Sequence, residues 1–572
     1  MIVLVEAYHY TEESLNGLLD THYLFPVAGG RVKINCVGYL KEEGQPHSVL
    51  ILPKAFLDST NCLLGGYKPE DLLTLNDENS LIRKQLQTSG KLDFLFHFSV
   101  WLYRAIQQFK QRNASSELPE LANLLDVSDA GKTSLSELEL IMALVRFHHD
   151  NNALLTHIKR FNTAQRHTVS WSRTVARKRP VLQNGKPVYA EPVVKQKHIN
   201  YDEELIVLYL STLAALRQEY GFRLELNPLY ILLSARDMER FQAQAKRRLK
   251  QIKGRYFSDK LLYVWQLLYQ YYDRQEQLRT NRSFREVLLV RDFNVVFEDM
   301  IDYLLSDPKE SLPKTLKDQP DGKRVDHIYA YRDLIWKTGL LKGNEKGDEV
   351  YHIGDSKYYH AGNEIGTSSI SKQFTYARNV IQQNIDLLLL NKDKLNEDKL
   401  SYPLRYRDYL TEGYNPTPNF FISATVNSEL SFTSDDLKTR SRGNASIVVN
   451  RHFEGRLFDR DTLLLQAYNI NFLYVLHTYV AKNVTQRDLF RKNTRSKFRQ
   501  NMVDNLRSNY SFFKVTPHNN DLDTFVTKHF RRLAGKMYRP SGFDTAILLA
   551  IEKNIKEDLY FLDANVEQWD LE

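Results

Sequence analysis

The triplet Asp355-Ser356-Lys357 sets a carboxylate and an ammonium two residues apart. On an extended strand side chains alternate, so Asp355 and Lys357 share one face and Ser356 takes the other. A carboxylate able to bind Mg²⁺ beside an ammonium able to position a water is suited to hydrolysing a phosphodiester. Such a triplet also arises by chance, and alone it reads as a surface ion pair on an edge strand. The chemistry needs at least two carboxylates converging on the ion, often with a further acid from a neighbouring helix. Asp326, in the apolar run Val325-Asp326-His327-Ile328-Tyr329, and Glu298, beside Phe297, are the candidates. Downstream, Gln373 and Tyr376 are three apart and share a helix face. Ser356 is set aside as a nucleophile, because no His or Lys partner is implied on its face.

Positioning these residues takes a helix, two strands, a helix and a strand, and the patterning predicts them in that order. Residues 289–305 carry Phe293, Phe297, Ile301 and Leu304/Leu305 at helical spacing. A strand is predicted over 324–331. A connection with Trp336 and a Gly/Asn/Lys turn at 342–348 leads to the strand 349–359, VYHIGDSKYY. Residues 369–390 form a helix with Ile370, Phe374, Ala377, Ile381 and Ile385 on one side, and a strand follows at 419–426. Adjacent strands of one sheet can bring Asp326 to Asp355. The connection between them is long, with 28 residues intervening, so Asp333 and Asp348 stand as substitutes, ranked lower for their less apolar contexts.

This order resembles the PD-(D/E)xK nuclease superfamily over roughly 293–426. More narrowly, FEDMI, VDHI, IGDSKYY and KQFTYAR resemble the nuclease half of McrC-type restriction subunits, and HFEGRLFDRDTLLLQAYNINFLYVL is similar to LlaJI-type restriction endonucleases. Val325 stands where many members have Pro, and the middle acid is Asp355 and not Glu. The resemblance, with the chemistry above, implies that Asp326 and Asp355 bind Mg²⁺ (Mn²⁺ substituting) with help from the Ser356 backbone carbonyl. Lys357 orients the water, Glu298 holds a metal-bound water or second ion, and Gln373 supports the lysine or the water. It further implies an endonuclease subunit acting on foreign duplex DNA, oligomeric when active, with a separate McrB-like AAA+ GTPase. The alternatives are a repair or recombination nuclease of the same fold, and a catalytically inactive module that binds DNA or a partner.

The remainder of the chain frames that centre. At 572 residues it exceeds a single core, and two regions are expected. Residues 1–285 read as a β start, a mainly helical body over 66–170 and 200–283, and a basic β-hairpin over 171–199 around Asn184-Gly185. Residues 286–572 hold the nuclease core, a mixed sheet flanked by helices, so the class is mixed α/β. Short β elements near the N-terminus turn at Gly29-Gly30 and 42–45, and Ser234–Asp237 reads as a capping box. Aromatic content of 12% argues against disorder. A net charge of +8 accords with a nucleic-acid partner. Two cysteines cannot build a disulfide framework, which points to a reducing cytoplasm, and the absence of any 18-residue apolar run argues against a membrane span.

Three further features were weighed. Gly131-Lys132-Thr133 lacks the first glycine of a phosphate loop, Asp126 standing there instead, so nucleotide hydrolysis is left to the separate subunit. His148 and His149, being adjacent, face different ways on a helix and do not form a metal pair. The basic run 487–499 is the candidate DNA contact, through Arg487, Arg491, Lys492, Arg495 and Arg499. The 171–199 hairpin is open between a partner arm and a DNA contact.

Overall fold

A computed structural model describes residues 1–41, 47–128, 135–151, 157–162, 168–280, 286–308, 325–335, 349–359, 365–390, 407–442, 445–446, 448–451, 454–481, 483–540, 543–554 and 562–572. The expected turns at 42–45 and 342–348, Trp336, Asp348, the Gly131–Thr133 run and the side chains of Ile381 and Ile385 lie outside the described residues.

The N-terminal sheet is built from apolar, β-branched runs buried on both faces, as strands covered on either side require. These are β1 (Ile2–Val5), β2 (Val37–Lys41) and β3 (Val49–Leu52). Helix α1 (Lys91–Arg112) follows, burying Leu95, Phe98, Leu102, Ile106 and Phe109 at its 3–4 spacing. The strands β4 (Leu124–Ser128) and β5 (Glu286–Val290) complete a sheet in the order β1-β3-β2-β5-β4. Helices Glu137–Asp150, Glu204–Tyr220, Ala235–Ile252 and Asp259–Thr280 belong to the same core.

Three expectations are corrected here. Residues 124–128, read as helical, form β4, because pairing along the whole of β5 overrides the helical tendency of its leucines. Residues 286–290, assigned to the second region, are β5 of the first sheet, paired with β2 and β4. In the 171–199 segment, Trp171–Arg177 is helical. Only Val181–Gln183 and Lys186–Val188 form the hairpin, around Asn184 (φ 51°) and Gly185 (φ 75°), both left-handed as this turn demands. Val194–Ile199 instead pairs antiparallel with His157–Asn162. At Ser234 the expected cap is present: its hydroxyl accepts from the Asp237 N–H and donates to the Asp237 carboxylate at 2.6 Å.

The second region has the expected helix–strands–helix–strand order. Helix α2 (Phe293–Leu305) precedes β6 (His327–Arg332) and β7 (Glu349–Lys357). Helix α3 (Thr367–Leu390), β8 (Pro418–Thr425), β9 (Leu463–Asn471), α4 (Phe472–Val480) and α5 (Val484–Asn509) follow. The sheet is mixed: β6 and β7 are antiparallel, whereas β7, β8 and β9 run parallel. Lys438–Thr439 and Val448–Arg451 add to β9 antiparallel. One face (Ile328, Tyr351, Ile353, Phe421, Ala467) packs on Ala377 and Val380 of α3. The other (Tyr329, Phe420, Ile422, Tyr468) packs on α2, α4 and α5, and that core continues without a break into α1 and the N-terminal helices. A four-stranded sheet including Tyr510–Pro517 and Ile547–Glu552 closes the chain. Among the described residues no helix is long and apolar enough to cross a membrane.

Candidate active site

Strand register brings the two aspartates together. In the β6–β7 ladder His327 pairs with Gly354, and one further step along an antiparallel pair sets Asp326 opposite Asp355. The long connection between them is therefore the far end of a hairpin. The Ser356 N–H points to Asp326 Oδ2 at 3.4 Å. Burial first, then the hydrogen bond and charge of Asp355 and the charge of Glu298, push Asp326 well above the ordinary carboxylate range, with Lys357 opposing. The Lys357 ammonium contacts Asp355 Oδ2, as their shared strand face predicts, and lies 5.2 Å from the centre of the Phe421 ring. With side-chain exposures of 13% and 12%, the pair is shielded yet still reaches solvent. Asp333 does not substitute for Asp326. It stands past the far end of β6, where its carboxylate accepts from Asn415 Nδ2 at 3.0 Å and its carbonyl from Arg499 Nε at 2.8 Å.

Glu298 lies on α2 and lines a cleft of ≈ 590 Å³ shared with Asp302, Asp307, Asp326, Arg112 and Arg491. It acts on Asp326 through its charge. Among the described residues no three His, Cys, Asp or Glu side chains converge closely enough to hold a metal. Gln373 sits on the α3 stripe, among Ile370, Phe374 and Ala377, that packs on the Asp355 face of the sheet. It is fully buried, and among the described residues neither atom of its amide has a hydrogen-bond partner. An unsatisfied buried amide costs ~1–3 kcal/mol, an unusual expense for a purely structural residue.

Two contacts escaped sequence reasoning. His327 Nε2 lies 2.6 Å from Ser356 Oγ, so the expectation that Ser356 lacks a histidine partner is wrong. The two residues are diagonal neighbours on one sheet face, and the imidazole Nδ1 stands 3.7 Å from Asp302 Oδ1. Ser356 still cannot attack a substrate, for it and His327 are both buried. The second contact is at Tyr358, next to Lys357. Its hydroxyl donates to Glu6 of the N-terminal region and accepts the Lys54 N–H at 3.1 Å. Burial, before any other cause, raises the Glu6 carboxyl. The doubled tyrosine after Lys357 was the one local signal for this link.

The basic helix α5 is only partly turned to solvent. Arg495 is buried; its guanidinium donates to the Leu305 carbonyl at 2.6 Å and to Asp307 at 2.7 Å, closing the C-terminal end of α2. Arg499, also buried, donates to the Asp333 and Glu572 carbonyls at 2.8 and 2.6 Å. Expected phosphate contacts for these two residues are corrected on that ground: both guanidiniums are buried and donate to carbonyls and, for Arg495, a carboxylate inside the protein. Lys492 is exposed, and Arg487 and Arg491 are half-buried. His148 is a core residue, its Nε2 2.7 Å from the Glu225 carbonyl oxygen.

Comparison with known proteins follows from this geometry. The sequence pattern of one family, the LlaJI restriction endonuclease, matches residues 85–408, a span that contains Glu298, Asp326, Asp355, Lys357 and Gln373. No curated protein matches. Among solved structures, a chain from a half-complex of Thermococcus gammatolerans McrB AAA+ hexamers with bound McrC is similar at 13% identity and a TM-score of 0.24, covering 86% of this chain and 99% of that one.

Proposed function

The chain belongs to the LlaJI restriction endonuclease family, and from that premise we propose that it is a metal-dependent endodeoxyribonuclease subunit that hydrolyses phosphodiester bonds of foreign duplex DNA. The observation that carries the reading is the hairpin register that opposes Asp326 and Asp355 with Lys357 on the same face.

The donor set fits a hard divalent cation. Two buried carboxylates in contact repel unless a proton or a cation lies between them, and Mg²⁺ is commonly held by one or two carboxylates, with water and substrate oxygens completing its shell. Asp326 and Asp355 would hold it, with the Ser356 carbonyl, and Mn²⁺ would substitute. When bound, the ion polarises the phosphate and acidifies a water. Lys357 positions that water and offsets charge on the phosphate oxygens. Gln373, with an amide free to donate and accept, holds the lysine or the water in place. Glu298, which lines the same cleft as Asp326, would hold a water bound to the ion or a second ion.

The resemblance drawn from the motifs supports a separate AAA+ GTPase partner, an oligomeric active form and a cytoplasmic setting. The test is twofold. Titration with Mn²⁺ should show binding that Asp355→Ala abolishes; equal affinity in both proteins refutes the assignment. Plasmid cleavage by the purified chain should rise sharply when a McrB-like AAA+ GTPase is added; full cleavage without it favours a repair nuclease.

A further inference from the structure

Three helices from distant parts of the chain meet at the cleft that holds Asp326. Tyr303 is in the last turn of α2, Arg112 ends α1, and Arg487 and Arg491 lie one turn apart near the start of α5. The Arg112 guanidinium lies 3.6 Å from the centre of the Tyr303 ring and that of Arg487 5.0 Å. Arg491 donates to the Tyr303 carbonyl at 3.4 Å. Two of the three cations flank the ring and the third is tied to its backbone carbonyl, with Asp299 at 3.6 Å from Arg112 and Asp488 at 3.4 Å from Arg491. Among the described residues the Nε–H groups of Arg487 and Arg491 are buried and have no hydrogen-bond partner. Guanidinium groups stacked on a ring, with spare donors, fit a phosphate.

Carboxylates beside the cluster, Glu298, Asp302 and Asp326 among those lining the cleft, would repel a polyanion that entered without such a counterweight. We propose that Arg112, Arg487 and Arg491, gathered on Tyr303, clamp a backbone phosphate of the DNA strand next to the one that is cut. The N-terminal half, through Arg112, thereby forms part of the substrate site. This rests on the nuclease reading but can fail without it, because binding can be measured where no cleavage occurs.

The experiment is equilibrium binding of the full chain to a short fluorescent duplex in EDTA across a salt series. Arg112→Gln and Arg487→Gln are each expected to lower the slope of log affinity against log salt by ~0.9, or about eightfold weaker binding near 0.1 M salt. Melting temperature should hold, since Asp299 keeps hydrogen bonds from Tyr479 at 2.6 Å and Asn113 at 3.1 Å when Arg112 is removed. Arg146→Gln, at an exposed helix position, should leave the slope alone. Unchanged slopes in both cleft variants, with or without a loss of thermal stability, overturn the clamp and leave the nuclease reading intact. No duplex binding by the unmodified chain at any salt overturns the clamp, while the nuclease reading is judged by the Mn²⁺ titration.

Discussion

Replacing Gly354 by alanine should disable the site without touching any charged group. Gly354 precedes Asp355 in β7 and is the register partner of Phe420 in β8. A Cβ there would stand 2.0 Å from Phe420 Cε2 and 2.1 Å from Cζ, where ordinary contact begins at 3.4 Å. The ring would have to retreat by about 1.4 Å (3.4 − 2.0). It is fully buried and packed against Phe498 and Tyr329, with ring centres 4.8 and 5.9 Å away. It has no void to enter, so much of the displacement falls on β7. Overpacking of this kind costs ~1–3 kcal/mol, and a misplacement of ~1 Å at reacting groups costs about 100-fold in rate. Denaturant unfolding and single-turnover cleavage would read the two effects. Adding Phe420→Ala removes the clashing Cε2, Cζ and Cδ2 atoms and should recover most of the rate, though core packing is lost. Wild-type cleavage by Gly354→Ala, or no recovery in the double variant, would refute the reasoning.

Other substitutions separate the roles assigned to individual residues. Because Asp326 is raised, the folded protein binds its proton more tightly than the unfolded chain. Its contribution is therefore full below the ordinary value of about 3.9 and is lost as pH rises through the folded value. In EDTA, Asp326→Asn should become increasingly more stable than wild type as pH rises through that window; a difference that stays flat across the urea-unfolding series contradicts the shared-proton pair. Gln373→Leu should stabilise the metal-free protein by ~1–3 kcal/mol, by removing an unsatisfied amide, while lowering cleavage; a variant both stable and fully active would remove Gln373 from the site. Arg495→Ala should cost ~3–5 kcal/mol, as loss of a buried pair does, yet leave the salt dependence of DNA binding unchanged; a reduced slope would return Arg495 to the DNA surface.

Much of the centre was legible in local pattern, and what was missed was non-local. Period-2 alternation placed Asp355 and Lys357 on one face, and the helical spacing of Ile370, Phe374 and Ala377 put Gln373 on the stripe that meets it. Whether Asp326 faces Asp355 depends on the register of β6 against β7, a pairing property that a long connection conceals. The same limit hid His327 beside Ser356, a diagonal contact between strands. Glu6 and Tyr358 meet across 352 residues of sequence, with the doubled tyrosine as the one local cue. Glu286–Val290 was misassigned because an apolar run before an amphipathic helix looks like more of that helix. Arg495 and Arg499 could have been read better: Thr494, Phe498 and Met502 mark the buried side of α5, and both arginines adjoin it. A basic composition says that cations are present, whereas the helical period decides which of them meet solvent.

The central claim is that Asp326, Asp355 and Lys357 form a divalent-ion-dependent centre for cutting DNA. Its most direct test is single-turnover cleavage of supercoiled plasmid, with Mg²⁺ and the partner GTPase present, by wild type, Asp355→Asn and Lys357→Ala at matched thermal stability. The account predicts strand cleavage by wild type that EDTA abolishes, and rates lower by at least ~100-fold in both variants. Cleavage by either variant at the wild-type rate would contradict it.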